Sequence, residues 1–143
     1  MATNNANTNP IFVNQGNFTP ARIAAANNAS DGSGTLETVV TASTDGTRVD
    51  GIRFINSQAT AAAAGAKQYR IFLSDTLGAN PRLIGEVAAA AATRNNTTVI
   101  GQTAIYTFDQ PIIMQSGQIM SVIQSIFLGG QDQTDACAFA NNF

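Results

Sequence analysis

Runs of alternating apolar, β-branched and polar residues, separated by turn-forming pairs, dominate the chain from residue 35 onward. Residues 35–56 hold two such runs on either side of Asp45-Gly46. An Asp-Gly pair between β-prone runs is typical of a two-residue hairpin with a type I′ turn. In the second run Ile52 and Phe54 share one face, and the opposite face also keeps apolar residues. We therefore expect this hairpin near the middle of a sheet, with neither face fully exposed to water.

Further strands are predicted by apolar runs and by the polar residues between them. These runs cover residues 67–75, 83–87, 99–108, 119–127 and 136–140. Residues 88–92 either extend a strand or begin a short helix, and no longer helical pattern occurs. Together with the hairpin and a short run after Pro111, they give about eight strands at regular spacing. This spacing indicates an antiparallel sandwich or barrel, and we predict a β-sandwich.

Turns and a core are predicted by the same pattern. Residues 76–82 and Ser116-Gly117 are predicted turns. Residues 109–111 are expected to end a strand, and Pro111 restricts the residues after it to a sheet edge or a strand start. The predicted core consists of Ile52, Phe54, Ile71, Leu73, Ile105, Ile119 and Ile123.

The first part of the chain differs in composition from the rest. Residues 1–34 are polar and of low complexity, so we divide the chain into an extended N-terminal arm at 1–34 and a sandwich domain at 35–143. The arm's apolar side chains near its start gain too little from burial to order about twenty residues by themselves. One interpretation is that the arm forms an edge strand of its own domain. We predict instead that residues 1–20 lie against a second protein chain by strand addition. The expected partner contacts are Ile11, Phe12, Val13 and Phe18.

Charged residues are few: they make up 11% of the 143 residues, and the net charge is −2. Lys67 is the only lysine and no basic stripe occurs, so we expect no nucleic-acid partner. No apolar run approaches the length of about 18 residues that indicates a membrane-spanning helix, and the N-terminus lacks the pattern of a secretory signal. We therefore expect no membrane partner. A neutral polar surface favours dense packing against neighbours, because unpaired charges cost far more to desolvate.

The residue types argue against an enzyme. The chain has no His and a single Cys137, so an internal disulfide, a Cys/His zinc site and a His-dependent nucleophile are excluded. We find no convincing carboxylate pair, phosphate loop or dinucleotide motif, and we predict no catalytic residue, cofactor or metal. Asp132 and Asp135 either offer oxygens to calcium or form a solvated turn, which we favour. Tyr69 and Tyr106 either bind a sugar or pack in the core, which is the better interpretation.

Four stretches of strand and turn residues occur in order along the chain. They are Gly-Thr-Arg-Val-Asp-Gly-Ile-Arg-Phe-Ile-Asn at 46–56, Tyr-Arg-Ile-Phe-Leu at 69–73, Leu-Ile-Gly at 83–85, and Pro-Ile-Ile-Met-Gln-Ser-Gly-Gln-Ile-Met-Ser-Val at 111–122. Over residues 35–127 they resemble a group of small virion proteins of tailed bacteriophages, although Met114 stands where that group more often has Leu. The resemblance implies a β-sandwich, often of jelly-roll type and often trimeric, that decorates the capsid or belongs to the tail. It implies no catalytic residues.

We therefore expect a structural virion protein that is made in the host cytoplasm. The leading hypothesis is a capsid decoration or cement protein that binds the major capsid protein or other virion subunits, as a homo-oligomer with a trimer favoured. One alternative places the chain in the tail or at the head–tail junction. Another is a carbohydrate-binding module that recognises a host glycan. A deep pocket with an exposed aromatic residue favours the glycan module, whereas an arm seated on another chain favours the structural roles.

Overall fold

Strands form nearly all the regular structure of the computed structural model, which describes residues 15–17, 20–57, 63–93, 103–126 and 132–143. The strands are β1 (Gln15–Asn17), β2 (Ala21–Ile23), β3 (Glu37–Thr41), β4 (Thr47–Asn56), β5 (Ala63–Ala64), β6 (Lys67–Ser74), β7 (Arg82–Ala89), β8 (Ala92–Thr93), β9 (Thr103–Met114), β10 (Ile119–Gln124) and β11 (Thr134–Asn142). The described residues contain no helix apart from one 3-10 turn at Thr76–Gly78. The predicted all-β class is confirmed, and Ala88 and Ala89 continue a strand.

The strand order is that of a jelly roll. In the five-stranded sheet, β1 and β2 lie along one edge of β11, which is followed by β4 and β9; the four-stranded sheet has the order β3-β10-β6-β7. Every pair is antiparallel, and β5 and β8 form a small separate pair. With β1 and β2 counted as one position, the first strand pairs with the last, the second with the next to last, and so on inward to β6 and β7. This nesting is the double Greek key of a jelly roll, so the predicted β-sandwich is confirmed.

The core lies between the two sheets. Ile52 and Phe54 from β4 are fully buried, as is Ile71 from β6, and Leu73 packs against them from a partly buried position. These four predicted core residues are confirmed. Alanines fill the inward positions of β11, at Ala136, Ala138 and Ala140, and Ala136 lies directly opposite Phe54 of β4.

Ile105 was wrongly predicted as a core residue, since 55% of its surface is exposed. It lies on β9, the edge strand of the five-stranded sheet, where Ala104 and Tyr106 point inward. Successive strand residues point to opposite faces, so Ile105 must point outward. The predicted strand end at residues 109–111 is also wrong, because β9 continues through them to Met114. The edge position allows this, since Pro111 needs no ladder partner for a missing N–H group.

Ile119 and Ile123 point away from the core, on the other face of the four-stranded sheet, because Met120 and Val122 of the same strand point inward. Residues 24–36 cover that other face. Ala26 forms a bridge with Gln124 of β10, so the covering segment is joined to the sheet backbone. Ile123 is buried beneath this segment and Ile119 partly so. Both residues were predicted to lie in the core. Ile123 is buried as predicted, but it and the partly buried Ile119 pack beneath the covering segment rather than between the two sheets.

Asp45-Gly46 forms a turn but not the predicted hairpin. β3 and β4 lie in different sheets, so the turn carries the chain from one sheet to the other. Gly46 has a φ of 102°, and its N–H donates to the Ser43 carbonyl oxygen at 3.1 Å. Asp45 has no positive φ, which excludes a type I′ turn. Because the Ser43 hydroxyl donates to the Gly46 carbonyl oxygen at 2.5 Å, the turn is closed locally and needs no strand pairing beside it.

A bulge explains why the alternation of β4 is imperfect. In the ladders with both neighbouring strands, the register passes from Val49 to Gly51 and skips Asp50. One extra residue shifts the alternation by one position, so Val49 points inward together with Ile52 and Phe54.

The described part of the segment 1–34 belongs to the sandwich. β1 pairs with residues 140–142 of β11, and β2 pairs with residues 134–136. The strands at residues 15–17 and 21–23 are therefore part of the sandwich. This pairing agrees with the interpretation that the segment forms an edge strand of its own domain. Residues 1–14, 18 and 19 lie outside the described part of the chain.

Candidate functional site

A buried ion pair connects the two sheets at one end of the sandwich. Lys67 is the first residue of β6, and its Nζ lies 2.6 Å from Oδ1 of Asp132, two residues before β11. Asn56, the last residue of β4, donates from Nδ2 to the same Oδ1 atom at 2.9 Å. All three side chains are buried. One carboxylate oxygen therefore holds an amine from one sheet and a carboxamide from the other.

Neutral polar side chains extend this group toward the core. Lys67 Nζ also lies 3.5 Å from Oε1 of Gln124, and Thr134 donates from Oγ1 to that same oxygen at 2.8 Å. The Tyr69 hydroxyl lies 3.2 Å from Thr134 Oγ1. We refer to these residues as the Lys67 cluster, which consists of Asn56, Lys67, Tyr69, Gln124, Asp132 and Thr134.

Burial gives the Lys67 cluster its chemical character. It raises the pKa of Tyr69 to about 12, because the phenolate is poorly solvated there, and the nearby Asp132 carboxylate adds to the effect. A buried ion pair is stabilising only when good geometry and further hydrogen bonds offset its desolvation. The contacts from Asn56 and Gln124 supply those bonds. The cluster thus places an acid–base group against both an amine and an amide in a site without bulk water.

An open groove of about 540 Å³ lies beside the cluster. Small alanine side chains form much of its wall, and Lys67 and Ile126 also line it. Lys67 is turned toward Asp132, so the groove wall offers mainly apolar surface. No described aromatic side chain lines this groove.

The second candidate site is the outer face of the five-stranded sheet. It is formed by the outward side chains of β4, β9 and β11, namely Arg48, Arg53, Ile55, Ile105, Thr107, Ile113, Cys137 and Phe139. Large apolar residues are exposed on it: 55% of Ile105, 58% of Ile113 and 42% of Phe139. The other sheet has its outer face covered by residues 24–36, so the sandwich is closed on one side and apolar on the other.

Arg53 lies near the middle of this face, with Ile105 opposite it on one side and Cys137 on the other. Burial raises the pKa of the Cys137 thiol, and the positive charge of Arg53 opposes that rise. Arg22 and Arg48 are paired with Asp135 and Asp50, whereas Arg53 forms no ion pair with any residue that the structure describes. The face therefore combines exposed apolar side chains with one uncompensated cation.

The partner contacts expected from the sequence are four apolar residues near the N-terminus. Ile11, Phe12, Val13 and Phe18 all lie outside the described residues, so that prediction stays a prediction.

The prediction that Asp132 and Asp135 belong to a solvated turn is wrong for Asp132, which is buried. Nor do the two carboxylates converge on one cation, since Asp135 pairs with Arg22 on the exposed side of β11. Within the described ranges, no three Asp, Glu, Cys or His side chains gather to form a metal site. The core interpretation of Tyr69 is confirmed, and Tyr106 packs against the core from a partly buried position.

Sequence reasoning missed Lys67 and Asn56 as site residues. A signal for Lys67 existed, because it precedes Tyr69 by two residues and so shares the inward face of the same strand. A lone lysine on that face requires a buried counter-charge. Asn56 gave no comparable signal, because the chain is rich in asparagine.

Comparison with protein-family models, with curated proteins and with solved structures finds no match for this chain. No helix in the described part of the chain has the length and hydropathy needed to cross a bilayer. The functional interpretation therefore depends on the residues and surfaces described above.

Proposed function

We propose that this chain is a structural protein of a tailed-bacteriophage virion, which is made in the host cytoplasm and decorates the assembled capsid. The four stretches that resemble such proteins support this, because they coincide with structural elements. Residues 46–56 form β4 with the residue before it, residues 69–73 lie in β6, and residues 83–85 lie in β7. Residues 111–122 span the end of β9, the turn at Ser116-Gly117 and the start of β10.

The outer face of the five-stranded sheet is the observation that carries the proposal. Exposed apolar residues scattered singly are ordinary on a protein surface. Here Ile105, Ile113 and Phe139 lie on one face of a regular sheet. Ile105 and Ile113 belong to β9 and Phe139 belongs to β11, and β4 lies between these two strands. A grouping of this kind is typical of a surface that binds another protein.

The face also indicates the chemistry of its partner. Its apolar residues require an apolar surface opposite, and Arg53 requires a carboxylate or a carbonyl group. The chain's surface is otherwise poor in charge, with 11% charged residues, so packing against a shell subunit desolvates few ions. We take the partner to be the major capsid protein or another virion subunit.

The oligomeric state and the N-terminal contact belong to the same proposal. A homo-oligomer, with a trimer favoured by the resemblance, places several outer faces on the shell at once and so increases the apparent affinity. Ile11, Phe12, Val13 and Phe18 remain the proposed contacts with a second chain, although residues 15–17 pair with β11 of their own chain.

Two other functions compete with capsid decoration. A protein of the tail or of the head–tail junction would use the same outer face, so only the location of the protein on the particle distinguishes this function from capsid decoration. A carbohydrate-binding module would need an exposed aromatic platform in a pocket. Alanines form much of the wall of the groove beside the Lys67 cluster, and no described aromatic side chain lines it. No observation therefore favours the glycan module.

The location is tested by immunogold electron microscopy of purified particles of the phage that encodes this chain, with antibodies against the recombinant protein. We expect labelling over the head. Labelling confined to the tail or the neck would replace capsid decoration by the tail alternative. Particles without label would end the virion proposal.

The binding face is tested by adding purified variants to shells assembled from the major capsid protein of the same phage. Phe139→Asp places a charge on the outer face and is expected to reduce occupancy at least tenfold. Leu77→Asp is the matched control, because Leu77 is 91% exposed on the turn after β6, away from that face. Equal occupancy by both variants would contradict the assignment of the face.

A further inference from the structure

Three buried side chains of different chemistry meet at Asp132. Lys67 offers a primary amine, Asn56 offers a carboxamide, and Asp132 Oδ1 binds the nitrogen atoms of both. Lys67 is the only lysine of the chain, and 0% of its side chain and 1% of the Asp132 side chain are exposed. An amine, an amide and an acid–base group are the components required for amide exchange.

We infer that Lys67 and Asn56 form an intramolecular isopeptide bond, with Asp132 as the catalytic acid–base residue. The bond joins Nζ of Lys67 to Cγ of Asn56 and releases ammonia. The structure brings Nζ of Lys67 and Nδ2 of Asn56 to the same carboxylate oxygen of Asp132. The inference does not depend on the proposed virion function, since it concerns only the interior of the sandwich.

The reaction balances without an added reactant. Asp132 first accepts one proton from the Lys67 ammonium group, which leaves a neutral amine and a neutral carboxylic acid. The lone pair of Nζ then attacks Cγ of Asn56 and forms a C–N bond. Asp132 moves the remaining surplus proton from Nζ to the amide nitrogen, the original C–N bond breaks, and ammonia leaves. Asp132 ends in the neutral form and returns to its starting state by releasing its proton as ammonia becomes ammonium.

The interior of the sandwich favours each part of this reaction. Proton transfer from Lys67 to Asp132 removes two charges from a region where charges are poorly solvated. Nζ and Nδ2 bind the same oxygen atom, so the nucleophile and the amide that it would attack are close together before the reaction. Such prior orientation of the reacting groups accounts for much of the lowering of the activation barrier in intramolecular reactions. Exclusion of bulk water also protects the amide acceptor from hydrolysis.

The neighbouring residues hold the reactants in place. Gln124 accepts a contact from Nζ at 3.5 Å, and its own Nε2 donates to the Asp132 carbonyl oxygen at 3.4 Å. Gln124 is thus a positioning residue that fixes the amine and the acid together. Asn56 donates to the same carboxylate oxygen that contacts the Lys67 amine, so the amide that would be attacked lies on the acid–base group itself.

The bond would link the two sheets covalently. Asn56 ends β4 in the five-stranded sheet and Lys67 begins β6 in the four-stranded sheet, so the cross-link closes the connection between them into a ring. Pulling the two sheets apart at this end would then require breaking a covalent bond.

Intact mass spectrometry of the purified, denatured full chain tests the inference. The expected mass is lower than the sequence mass by one molecule of ammonia. An unchanged mass would overturn the inference, and a loss of one water molecule would overturn the choice of Asn56, because it would indicate a bond from Lys67 to Asp132 instead.

Digestion with a lysine-specific endopeptidase gives an independent readout, because Lys67 is the only cleavage site. The denatured wild-type chain is expected to stay uncut. Asp132→Asn keeps the size of the side chain but removes the acid–base group, so this variant should show the full mass and be cut after Lys67 into two fragments. Cleavage of the wild-type chain would contradict the cross-link, even if the variant fails to fold.

Discussion

The rings of Phe54 and Tyr69 stack across the sandwich, with centroids 4.3 Å apart and planes inclined by 5°. Phe54 belongs to the five-stranded sheet and Tyr69 to the four-stranded sheet, so this pair joins the two layers of the core. Aromatic pairs of this kind add to the free energy gained from burying their surfaces. The hydroxyl of Tyr69 also belongs to the Lys67 cluster, in which it contacts Thr134.

Phe54→Ala should lower the free energy of unfolding by about 3–5 kcal/mol, because it removes a fully buried ring and leaves a cavity. Urea denaturation followed by circular dichroism measures the change. Ile105→Ala, at an exposed position of the neighbouring strand β9, should change stability by less than about 0.5 kcal/mol. A similar loss in both variants would show that the core is misplaced.

Stability should fall as the pH rises above the ordinary tyrosine pKa of 10.0, because the pKa of Tyr69 is raised to about 12 in the folded state. A group that holds its proton more tightly when folded contributes stability below the unfolded pKa and loses it as the pH approaches the folded pKa. Thermal unfolding between these two pH values measures this loss. Tyr69→Phe should cost about 1 kcal/mol at neutral pH through the lost hydrogen bond, and its stability should depend less on pH in the alkaline range. An identical alkaline decrease in the variant would exclude Tyr69 as its source.

Lys67→Met should be strongly destabilising, by about 3–5 kcal/mol, because it removes the Nζ atom that contacts the buried Asp132 carboxylate, and with it the cross-link to Asn56. Arg48→Met is the matched control: the same kind of change removes the cation of an exposed ion pair with Asp50, which is worth about 0–1 kcal/mol. Chemical denaturation of both variants against the wild type compares the two. If Lys67→Met were as stable as Arg48→Met, the buried pair would not be formed in solution.

Gly51→Ala should destabilise the fold, because a Cβ atom at this position would lie 2.5 Å from the backbone oxygen of Tyr106 on the neighbouring strand. The cost of such overpacking is about 1–3 kcal/mol. Gly16→Ala is the control, since no atom of a described residue, apart from its two chain neighbours, lies within 4 Å of a Cβ atom there. The urea midpoint should fall for Gly51→Ala and stay near the wild-type value for Gly16→Ala; the opposite order would contradict the pairing of β4 with β9.

Arg53→Gln should slow the alkylation of Cys137 at mildly alkaline pH. Burial raises the pKa of this thiol and the Arg53 charge opposes the rise, so removing the charge leaves less of the reactive thiolate. The rate of modification by iodoacetamide against pH measures the shift. Arg48→Gln, at a different register position of the same strand, should leave the rate unchanged. Faster alkylation in Arg53→Gln would indicate that the arginine acts by covering the thiol.

Local patterns in the sequence were sufficient to predict where β3, β4, β6, β7, β10 and β11 lie, but not where β9 ends. The alternation in residues 67–75 and the turn after them correspond to β6 and Thr76–Gly78, because these features depend on neighbouring residues. The partners of the strands were not predictable in this way. Asp45-Gly46 reverses the chain whether the next strand stays in the same sheet or enters the other one, and only the pairing of β3 with β10 decides it.

The candidate sites were less accessible to sequence reasoning because they depend on distant contacts. Lys67 and Asp132 are separated by 65 positions, and no spacing rule relates them. Ile105 was predicted as a core residue because the sequence of an apolar strand does not indicate whether the strand will lie at the edge of a sheet. Its exposure results from the place of β9 in the five-stranded sheet, which is a property of the whole fold.

The nested pairing of the strands has a consequence for synthesis on the ribosome. The last strand, β11, lies between β4 and the first strands β1 and β2. The five-stranded sheet therefore cannot close while residues 134–142 are still inside the ribosomal exit tunnel. Asp132 would also reach Lys67 only after it has itself left the tunnel. We expect the nascent chain to stay unfolded until β11 has left the tunnel and then to fold in one step, at the low rate typical of non-local topologies.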